Sequence, residues 1–265
     1  MSRSPLRIAV VGKGGAGKSV IAGTIARLLA RRGHRVLALD SDLMPGLAFS
    51  LGASAPSEPP LNDAAERDED GRWRLRKGIG AFRAVTRYST EAPDGVRLLE
   101  VGKVSGSEGR APIMPAMQAF YRVIHRLRRA EPLREWTVVG DLPAGPRQTA
   151  FDWAPYADTL LLVAEPTWKS ALTARRIARI ARARRDPPAV VVVANKVTAA
   201  ADRSRVARML GEPVAAAIPA DEAAATADRL GLALIDHAPS SPAARAIERL
   251  VDELLESTLR DVRAA

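Results

Sequence analysis

The chain has 265 residues, with 40 Lys or Arg, 30 Asp or Glu, no Cys and a net charge of +10. This length allows one large domain or two small ones and buries about 70% of the unfolded surface, so the fold needs no disulfide or structural metal. The lack of cysteine excludes thiolate-held iron–sulfur clusters, cysteine zinc sites, disulfides and a catalytic thiol.

The sequence has no run of 18 apolar residues, and its first eleven residues lack the layout of a signal peptide. We therefore expect no membrane insertion and a cytoplasmic protein. The positive charge has two interpretations, a nucleic-acid or membrane footprint and a coding bias toward Arg and Ala. Only six of the 40 basic residues are Lys, and no basic cluster alternates with aromatics in a known binding pattern, which favours coding bias.

Short apolar runs alternate with longer amphipathic ones along the chain. The apolar runs predict strands at Leu6–Val11, Val36–Leu39, Val96–Val101, Thr137–Val139, Thr159–Ala164, Ala189–Ala194 and Val214–Ile218. The amphipathic runs predict helices at Lys18–Arg32, Pro115–Ala130, Lys169–Arg184, Ala200–Leu210, Asp221–Leu230 and Pro242–Arg263. Strands without polar alternation are buried on both faces. The alternation predicts one domain over residues 1–265, a doubly wound, mostly parallel α/β sheet with helices on both faces.

Residues 53–72 interrupt this rhythm. Pro56, Pro59 and Pro60 precede the acidic run Asp63–Asp70, so we expect a surface excursion. The following run, Arg72–Arg76, alternates arginines with Trp and Leu and predicts a half-buried strand. A solvated basic edge explains its arginines better than a dedicated anion site.

The strongest motif is Gly-Lys-Gly-Gly-Ala-Gly-Lys-Ser at Gly12–Ser19, between the first strand and the first helix. Its phosphate-binding residues are Gly12, Gly14, Gly15, Ala16, Gly17, Lys18 and Ser19. Glycines let backbone N–H groups turn toward phosphate oxygens, and the helix N-terminus adds positive potential. Lys18 can reach the β- and γ-phosphates, and the Ser19 hydroxyl can ligate Mg²⁺. The motif predicts a P-loop NTPase.

Lys13 is not required in an ordinary phosphate loop. With Lys18 it resembles the deviant Walker A motif of the MinD/ParA group of ATPases. That resemblance implies ATP and Mg²⁺ as cofactors and a homodimer in which Lys13 reaches the partner's phosphates. The alternative is an ordinary solvated loop lysine. The neighbouring Val20 replaces a frequent second hydroxyl of the family, so one α-phosphate contact is in question.

Asp40 and Asp42 end the second strand and resemble the family's first switch (switch I, residues 40–46). The resemblance implies that Asp42 positions the attacking water and that Asp40 supports the Mg²⁺ shell. Leu43, the shifted Pro45 and Gly46 depart from the family pattern and leave the geometry of switch I open. A plain helix cap at Asp42 is the alternative.

The segment Asp141–Gly145 resembles the family's second switch (switch II). It implies that Asp141 holds an Mg²⁺-bound water and that the Gly145 N–H reaches the γ-phosphate. Asn195 follows a later strand, where the family uses an Asn to bind adenine, although a turn-forming Asn is the alternative. The later loop Ile218–Asp221 resembles the one that closes over the base.

The layout is similar to that of the nickel-insertion ATPases of carbon monoxide dehydrogenase maturation, but residues 103–112 lack their metal-binding cysteines. We expect an ATP-hydrolysing homodimeric switch that acts on a protein client, as in metalloenzyme maturation or complex assembly. A DNA-binding segregation ATPase, using Arg175, Arg179 and Arg182, is a less favoured alternative, as is a nucleotide-binding protein with weak hydrolysis. The acidic last helix argues against membrane attachment.

Overall fold

The structure is a computed structural model that describes residues 5–44, 46–54, 59–102 and 113–264, with side chains described up to residue 257. The strands are β1 Arg7–Gly12, β2 Val36–Asp40, β3 Ala65–Arg67, β4 Trp73–Leu75, β5 Thr90–Glu91, β6 Arg97–Glu100, β7 Thr137–Asp141, β8 Thr159–Ala164, β9 Ala189–Val197 and β10 Val214–Pro219. The helices are α1 Lys18–Arg31, α2 Leu47–Leu51, α3 Ala81–Tyr88, α4 Ile113–Ile124, α5 Arg147–Ala150, α6 Trp168–Arg182, α7 Ala200–Leu210, α8 Glu222–Leu230, α9 Leu234–His237 and α10 Pro242–Ala264.

Eight strands form one sheet in the order β10-β9-β8-β1-β7-β2-β6-β5. Every neighbouring pair is parallel except β5 and β6. The predicted α/β fold with a mostly parallel sheet is therefore confirmed. In the register, Asp40 of β2 lies beside both Glu100 of β6 and Asp141 of β7, so acidic side chains meet at the carboxyl edge of the sheet.

Two hydrophobic clusters cover the two faces of this sheet. One cluster joins β1 residues such as Ile8 and Val10 to α1, α2 and α10. The other joins Ala9 and Val11 to α4, α6 and α7. Because successive β1 residues point to opposite faces and both faces are covered, β1 is buried throughout. None of the described helices combines the length and apolar character that a membrane span requires.

The seven predicted strands and six predicted helices are all found, with differences at their ends. The helix expected over Pro115–Ala130 ends at Ile124, and two short 3₁₀ turns continue the chain to Leu133. Six helices and strands were not predicted, namely α2, α3, α5, α9, β3 and the edge strand β5. They have only two to eight residues, so packing rather than hydrophobic periodicity determines them.

The segment over residues 53–72, expected to be a surface excursion, has buried as well as exposed residues. Leu61 and Ala64 are fully buried, and the antiparallel β3–β4 hairpin packs against α4. The charged side chains Asp63 and Glu69 are exposed, which explains why the segment looks like a solvated loop in the sequence. Pro56 lies outside the described residues.

The run Arg72–Arg76 has the predicted half-buried form. Leu75 is buried, Trp73 is half-buried and the three arginines are exposed (the hairpin arginines Arg72, Arg74 and Arg76). The period-two pattern therefore identified both the strand and its buried face.

Gly23 determines how closely α1 approaches α2. A Cβ atom built at Gly23 would lie 2.6 Å from the carbonyl oxygen of Ser50 and 2.7 Å from its carbonyl carbon. These are backbone atoms, so they cannot move aside as a flexible side chain could. The short helix α2 therefore keeps its position only when residue 23 has no side chain.

We predict that Gly23→Ala destabilises the protein by about 1–3 kcal/mol, the usual effect of overpacking a close contact. In an ordinary helix interior the same change stabilises by about 0.5–1 kcal/mol. Urea unfolding measures the difference, with Gly80→Ala as control because a Cβ at Gly80 meets nothing within 4 Å. A Gly23→Ala variant as stable as the wild type would show that α2 is free to shift.

Candidate nucleotide-binding site

The phosphate loop leaves β1 at Gly12 and enters α1 at Lys18, as predicted. A Cβ at Gly12 would lie 2.4 Å from the Val163 carbonyl oxygen, so only glycine allows the loop to pass β8 at this distance. Gly17 has φ of +87° and caps α1 without a side-chain hydrogen bond. The first N–H groups of α1 are therefore available to an anion at the helix N-terminus.

A cleft of 580 Å³ opens beside this loop. Its polar end is formed by phosphate-loop residues and the start of α1, including Gly15, Gly17, Lys18, Ser19 and Val20. Its other end is formed by the loop Ile218–Asp221 and by the apolar side chains of Ala224, Ala225, Leu234, Ala243 and Ile247, and the carboxylates Glu222 and Asp228 also line it. A polar end next to an end with apolar side chains fits the phosphates and the base of a nucleotide.

Asp141 is the residue best suited to hold a divalent cation. It is 4% exposed, its Oδ2 accepts a hydrogen bond from the Ser19 hydroxyl, and its buried Oδ1 has no hydrogen-bond partner among the described residues. Burial and the neighbouring Asp40 raise the pKa of Asp141 to about 7. A hard cation such as Mg²⁺ satisfies a free carboxylate oxygen and offsets this repulsion, so Ser19 and Asp141 fit the ion.

Asp40 is engaged differently. It is fully buried, and its two oxygens accept hydrogen bonds from the backbone N–H groups of Asp42 at 3.0 Å and Leu47 at 3.1 Å. Burial raises the pKa of Asp40 to about 6. The side chain thus joins the end of β2 to switch I and to α2, and it presents no unused oxygen comparable to that of Asp141. This geometry favours a supporting role rather than direct ligation.

Switch I lies next to the phosphate loop despite its unusual sequence. A Cβ at Gly46 would lie 3.5 Å from the Ser19 hydroxyl oxygen. Asp42 is half-exposed, and its Oδ1 accepts a hydrogen bond from the Met44 N–H at 3.1 Å, an Asx turn rather than a helix cap. Leu43 is exposed, and Pro45 lies outside the described residues. The water-positioning role of Asp42 stays a prediction.

Lys13 and Lys18 lie in different surroundings. Lys18 is buried and lowers the pKa of Asp141 through its charge. The Lys13 side chain is 37% exposed, and its Nζ lies 3.7 Å from Oε2 of Glu165 and 3.3 Å from the Gly14 carbonyl oxygen. Only Lys18 is therefore placed among the groups expected around a nucleotide in the same subunit.

Sequence reasoning missed Glu165 and Lys196. Nζ of Lys196 lies 3.0 Å from Oε1 of Glu165 and donates to the Gly15 carbonyl oxygen at 2.6 Å. Glu165 follows β8 and Lys196 belongs to β9, so the parallel sheet brings both to its carboxyl edge. Both residues follow a run of apolar strand residues, and this position could have identified them in the sequence. One carboxylate thus holds two lysines, one of them from the phosphate loop.

Asn195 and Gly145 also contact the phosphate loop. The Asn195 Nδ2 donates to the Ala16 carbonyl oxygen at 2.7 Å, so an adenine contact has to use its other amide atom or a different rotamer. The Gly145 N–H donates to the Gly12 carbonyl oxygen at 3.0 Å. Binding a γ-phosphate through this N–H therefore requires switch II to move. Both predicted ligand contacts stay predictions.

Asp221 is a further residue that the sequence did not single out. Its Oδ1 accepts from the Ala223 N–H at 2.9 Å and its Oδ2 from the Ala243 N–H at 2.8 Å. These bonds hold the first turns of α8 and α10 together and lower the pKa of Asp221 despite its partial burial. Asp221 thereby positions two walls of the cleft.

The raised pKa of Asp141 predicts a pH dependence of stability in the protein free of nucleotide and Mg²⁺. The folded state keeps a proton that the unfolded carboxyl releases above about pH 4. Stability therefore falls as pH rises from about 4 through about 7. Asp141→Asn removes this effect and should raise Tm at pH 8 by about 2 °C or more, with a smaller rise at pH 5, where only part of the effect has developed.

Thermal unfolding at both pH values measures this difference. Asp63→Asn, which changes an exposed carboxylate far from the cleft, is the control and should leave Tm nearly unchanged at both. A shift of equal size at pH 5 and pH 8, or a lower Tm at pH 8, would contradict the assignment.

Known proteins resemble this chain over most of its length. Residues 8–235 match the family described as the CobQ/CobB/MinD/ParA nucleotide binding domain. The carbon monoxide dehydrogenase accessory protein CooC of Rhodospirillum rubrum is 31% identical over 188 residues, which cover 67% of this chain and 69% of that protein. An uncharacterised ATP-binding protein of Methanocaldococcus jannaschii is 28% identical over 187 residues, covering 66% and 69% respectively.

Solved structures show the same fold. The cell division ATPase MinD of Pyrococcus furiosus has 22% sequence identity and a TM-score of 0.72, and the alignment covers 97% of this chain and all of that one. The family match, the CooC relative and the common fold agree with the phosphate loop and cleft described above. This chain belongs to the CobQ/CobB/MinD/ParA family of nucleotide-binding proteins and has the fold of the MinD and ParA ATPases.

Proposed function

We propose that this protein hydrolyses ATP and that ATP joins two copies of it into a dimer that acts on a protein client. The observation that carries the proposal is the difference in surroundings between the two lysines of the phosphate loop. Lys18 is buried beside Asp141, whereas Lys13 is partly exposed and bound to Glu165. A partly exposed lysine of the phosphate loop is available to a second subunit's phosphates.

The residues of one subunit supply most of what phosphoryl transfer needs. The N–H groups of the phosphate loop and of α1 would cradle the phosphates, and Lys18 would balance their charge. Asp42 would orient the attacking water. Ser19 and Asp141 would hold Mg²⁺, which when bound supplies charge neutralisation of the phosphate oxygens. Gly145 would move from the Gly12 carbonyl toward the γ-phosphate and so make switch II sensitive to the nucleotide.

The more specific part of the proposal is that the dimer acts on a protein client. The CooC relative is an accessory protein of a metalloenzyme, which supports a role in maturation or assembly of a multi-component enzyme. This chain has no cysteine and only three histidines, so it lacks thiolates with which to carry a soft metal. We therefore propose that it acts on its client by binding and release, without carrying the metal itself.

The first test concerns hydrolysis. Lys18→Ala should abolish binding of Mg²⁺-ATP, because it removes the charge that faces the phosphates. Asp42→Ala should leave ATP affinity within about twofold and lower turnover by about 100-fold or more, because it removes a group that acts on the attacking water. Phosphate release and titration with a fluorescent ATP analogue measure the two effects.

Glu69→Ala, an exposed carboxylate on the β3–β4 hairpin turn, is the matched control and should keep wild-type turnover. Full activity of Asp42→Ala would assign the water to another residue. No turnover in the wild type, alone or with candidate clients, would favour a nucleotide-binding protein without effective hydrolysis.

The second test concerns the dimer. An Asp42→Asn variant should sediment as a dimer with ATP and as a smaller species without it, because ATP would persist between the subunits. Adding Lys13→Ala to this variant should remove the response to ATP while ATP still binds. Lys77→Ala, an exposed lysine outside the cleft, is the control for loss of one positive charge. An identical response with and without Lys13 would show that the lysine does not act across the dimer.

A further inference from the structure

The exposed face of α6 carries an unusual excess of positive charge. The helix Trp168–Arg182 contains five basic residues and no acidic one (Lys169, Arg175, Arg176, Arg179 and Arg182). All five are exposed. Within the described part of the chain only Arg182 forms an ion pair, at 2.5 Å with Glu212. Four cations on one helix face therefore have no counter-charge from the described residues.

Three of these four cations, Arg175, Arg176 and Arg179, border a groove of 550 Å³ between α6 and the end of α7. We call this feature the α6 groove, lined by Leu172, Arg175, Arg176, Ala178, Arg179, Arg182, Leu210 and Glu212. Leu172 is 50% exposed, and Trp168, one turn earlier, is 74% exposed. Exposed large apolar side chains beside unpaired arginines are typical of protein interfaces, where aromatic residues and arginine are enriched.

We propose that the α6 groove binds an acidic segment of a protein that also presents apolar side chains. The unpaired arginines would pair with its carboxylates, and Leu172 and Trp168 would contact its apolar residues. Such complementarity of charge determines which partner docks and how fast. The identification of this partner with the client rests on the proposed function, whereas the groove itself does not.

The apolar side chains of the groove favour a protein over a nucleic acid, because Glu212 repels carboxylates and phosphates alike. Duplex DNA offers a uniform row of phosphates and gains little from apolar side chains such as Leu172, because its non-specific binding is almost entirely electrostatic. A segment with both acidic and apolar residues uses the unpaired arginines and the apolar side chains together.

The test measures fluorescence anisotropy of labelled probes at physiological salt without nucleotide. The probe is a short peptide of glutamate and leucine with the leucines at helical spacing, and its matched control replaces each leucine with serine. We expect the glutamate–leucine peptide to bind about tenfold more tightly than the glutamate–serine peptide. Replacing Arg175, Arg176 and Arg179 together with Gln should weaken its binding by about tenfold or more.

Two controls separate a site from general attraction to positive charge. Replacing the three hairpin arginines with Gln removes the same charge elsewhere and should change the peptide's Kd by less than about twofold. Leu172→Gln should weaken binding of the glutamate–leucine peptide and leave that of the glutamate–serine peptide unchanged. Both sets of variants should bind ATP as the wild type does, since none of these residues lies in the nucleotide cleft.

Four results would overturn the proposal. They are equal weakening by the two triple variants, equal binding of the two peptides, a Kd weaker than about 1 mM for the glutamate–leucine peptide, and tighter binding of duplex DNA through the same α6 arginines. The last result would make the face a nucleic-acid interface. The assay contains no nucleotide, so its outcomes can be interpreted even if the protein does not hydrolyse ATP. Conversely, failure of the peptide to bind would not affect the tests of ATP hydrolysis.

Discussion

The buried carboxylates Asp40 and Asp141 lie side by side on adjacent parallel strands, and their mutual repulsion has to be balanced by the groups around them. Asp40 accepts hydrogen bonds from the backbone N–H groups of Asp42 and Leu47, and these bonds hold switch I and the start of α2 in place. Asp141 receives the Ser19 hydroxyl and the charge of Lys18. One oxygen of Asp141 has no hydrogen-bond partner in the described part of the chain, and a bound cation would complete the balance. The two switches and the phosphate loop thus meet at one electrostatic centre.

Much of this arrangement is predictable from the sequence because the parallel strands are buried on both faces and their apolar runs are unbroken. The glycine spacing at Gly12–Ser19 indicated the loop, and the resemblance of Asp141–Gly145 to a switch II placed Asp141 near it, where the Ser19 hydroxyl donates to its carboxylate. The sequence could not predict α2, because this short helix forms where Gly23 admits the Ser50 backbone and Asp40 receives the N–H of Leu47. Such contacts join residues distant in the chain and leave no periodic pattern.

The hydrogen bonds within the site were also beyond the sequence. Asn195 is expected at the base, which stays a prediction, and its amide holds the phosphate loop through Ala16. Gly145 was expected at the γ-phosphate, and its N–H bonds to Gly12. In both cases the residue type and its position after a strand correctly indicated that the residue lies beside the phosphate loop. The partner within that neighbourhood depends on side-chain rotamers and on whether phosphate oxygens compete for the same groups.

Glu165 connects three parts of the molecule. Its carboxylate pairs with Lys13 and Lys196, and its backbone N–H donates to the Ser170 hydroxyl in the first turn of α6 at 2.9 Å. If Lys13 leaves to reach another subunit, Glu165 loses one of two positive neighbours, and the free subunit is favoured by the interaction that is lost. In the proposed dimer, the Glu165–Lys13 ion pair would therefore favour the separate subunits and keep their association reversible. The helix α6, whose first turn is hydrogen-bonded to Glu165, would be the helix next to this change.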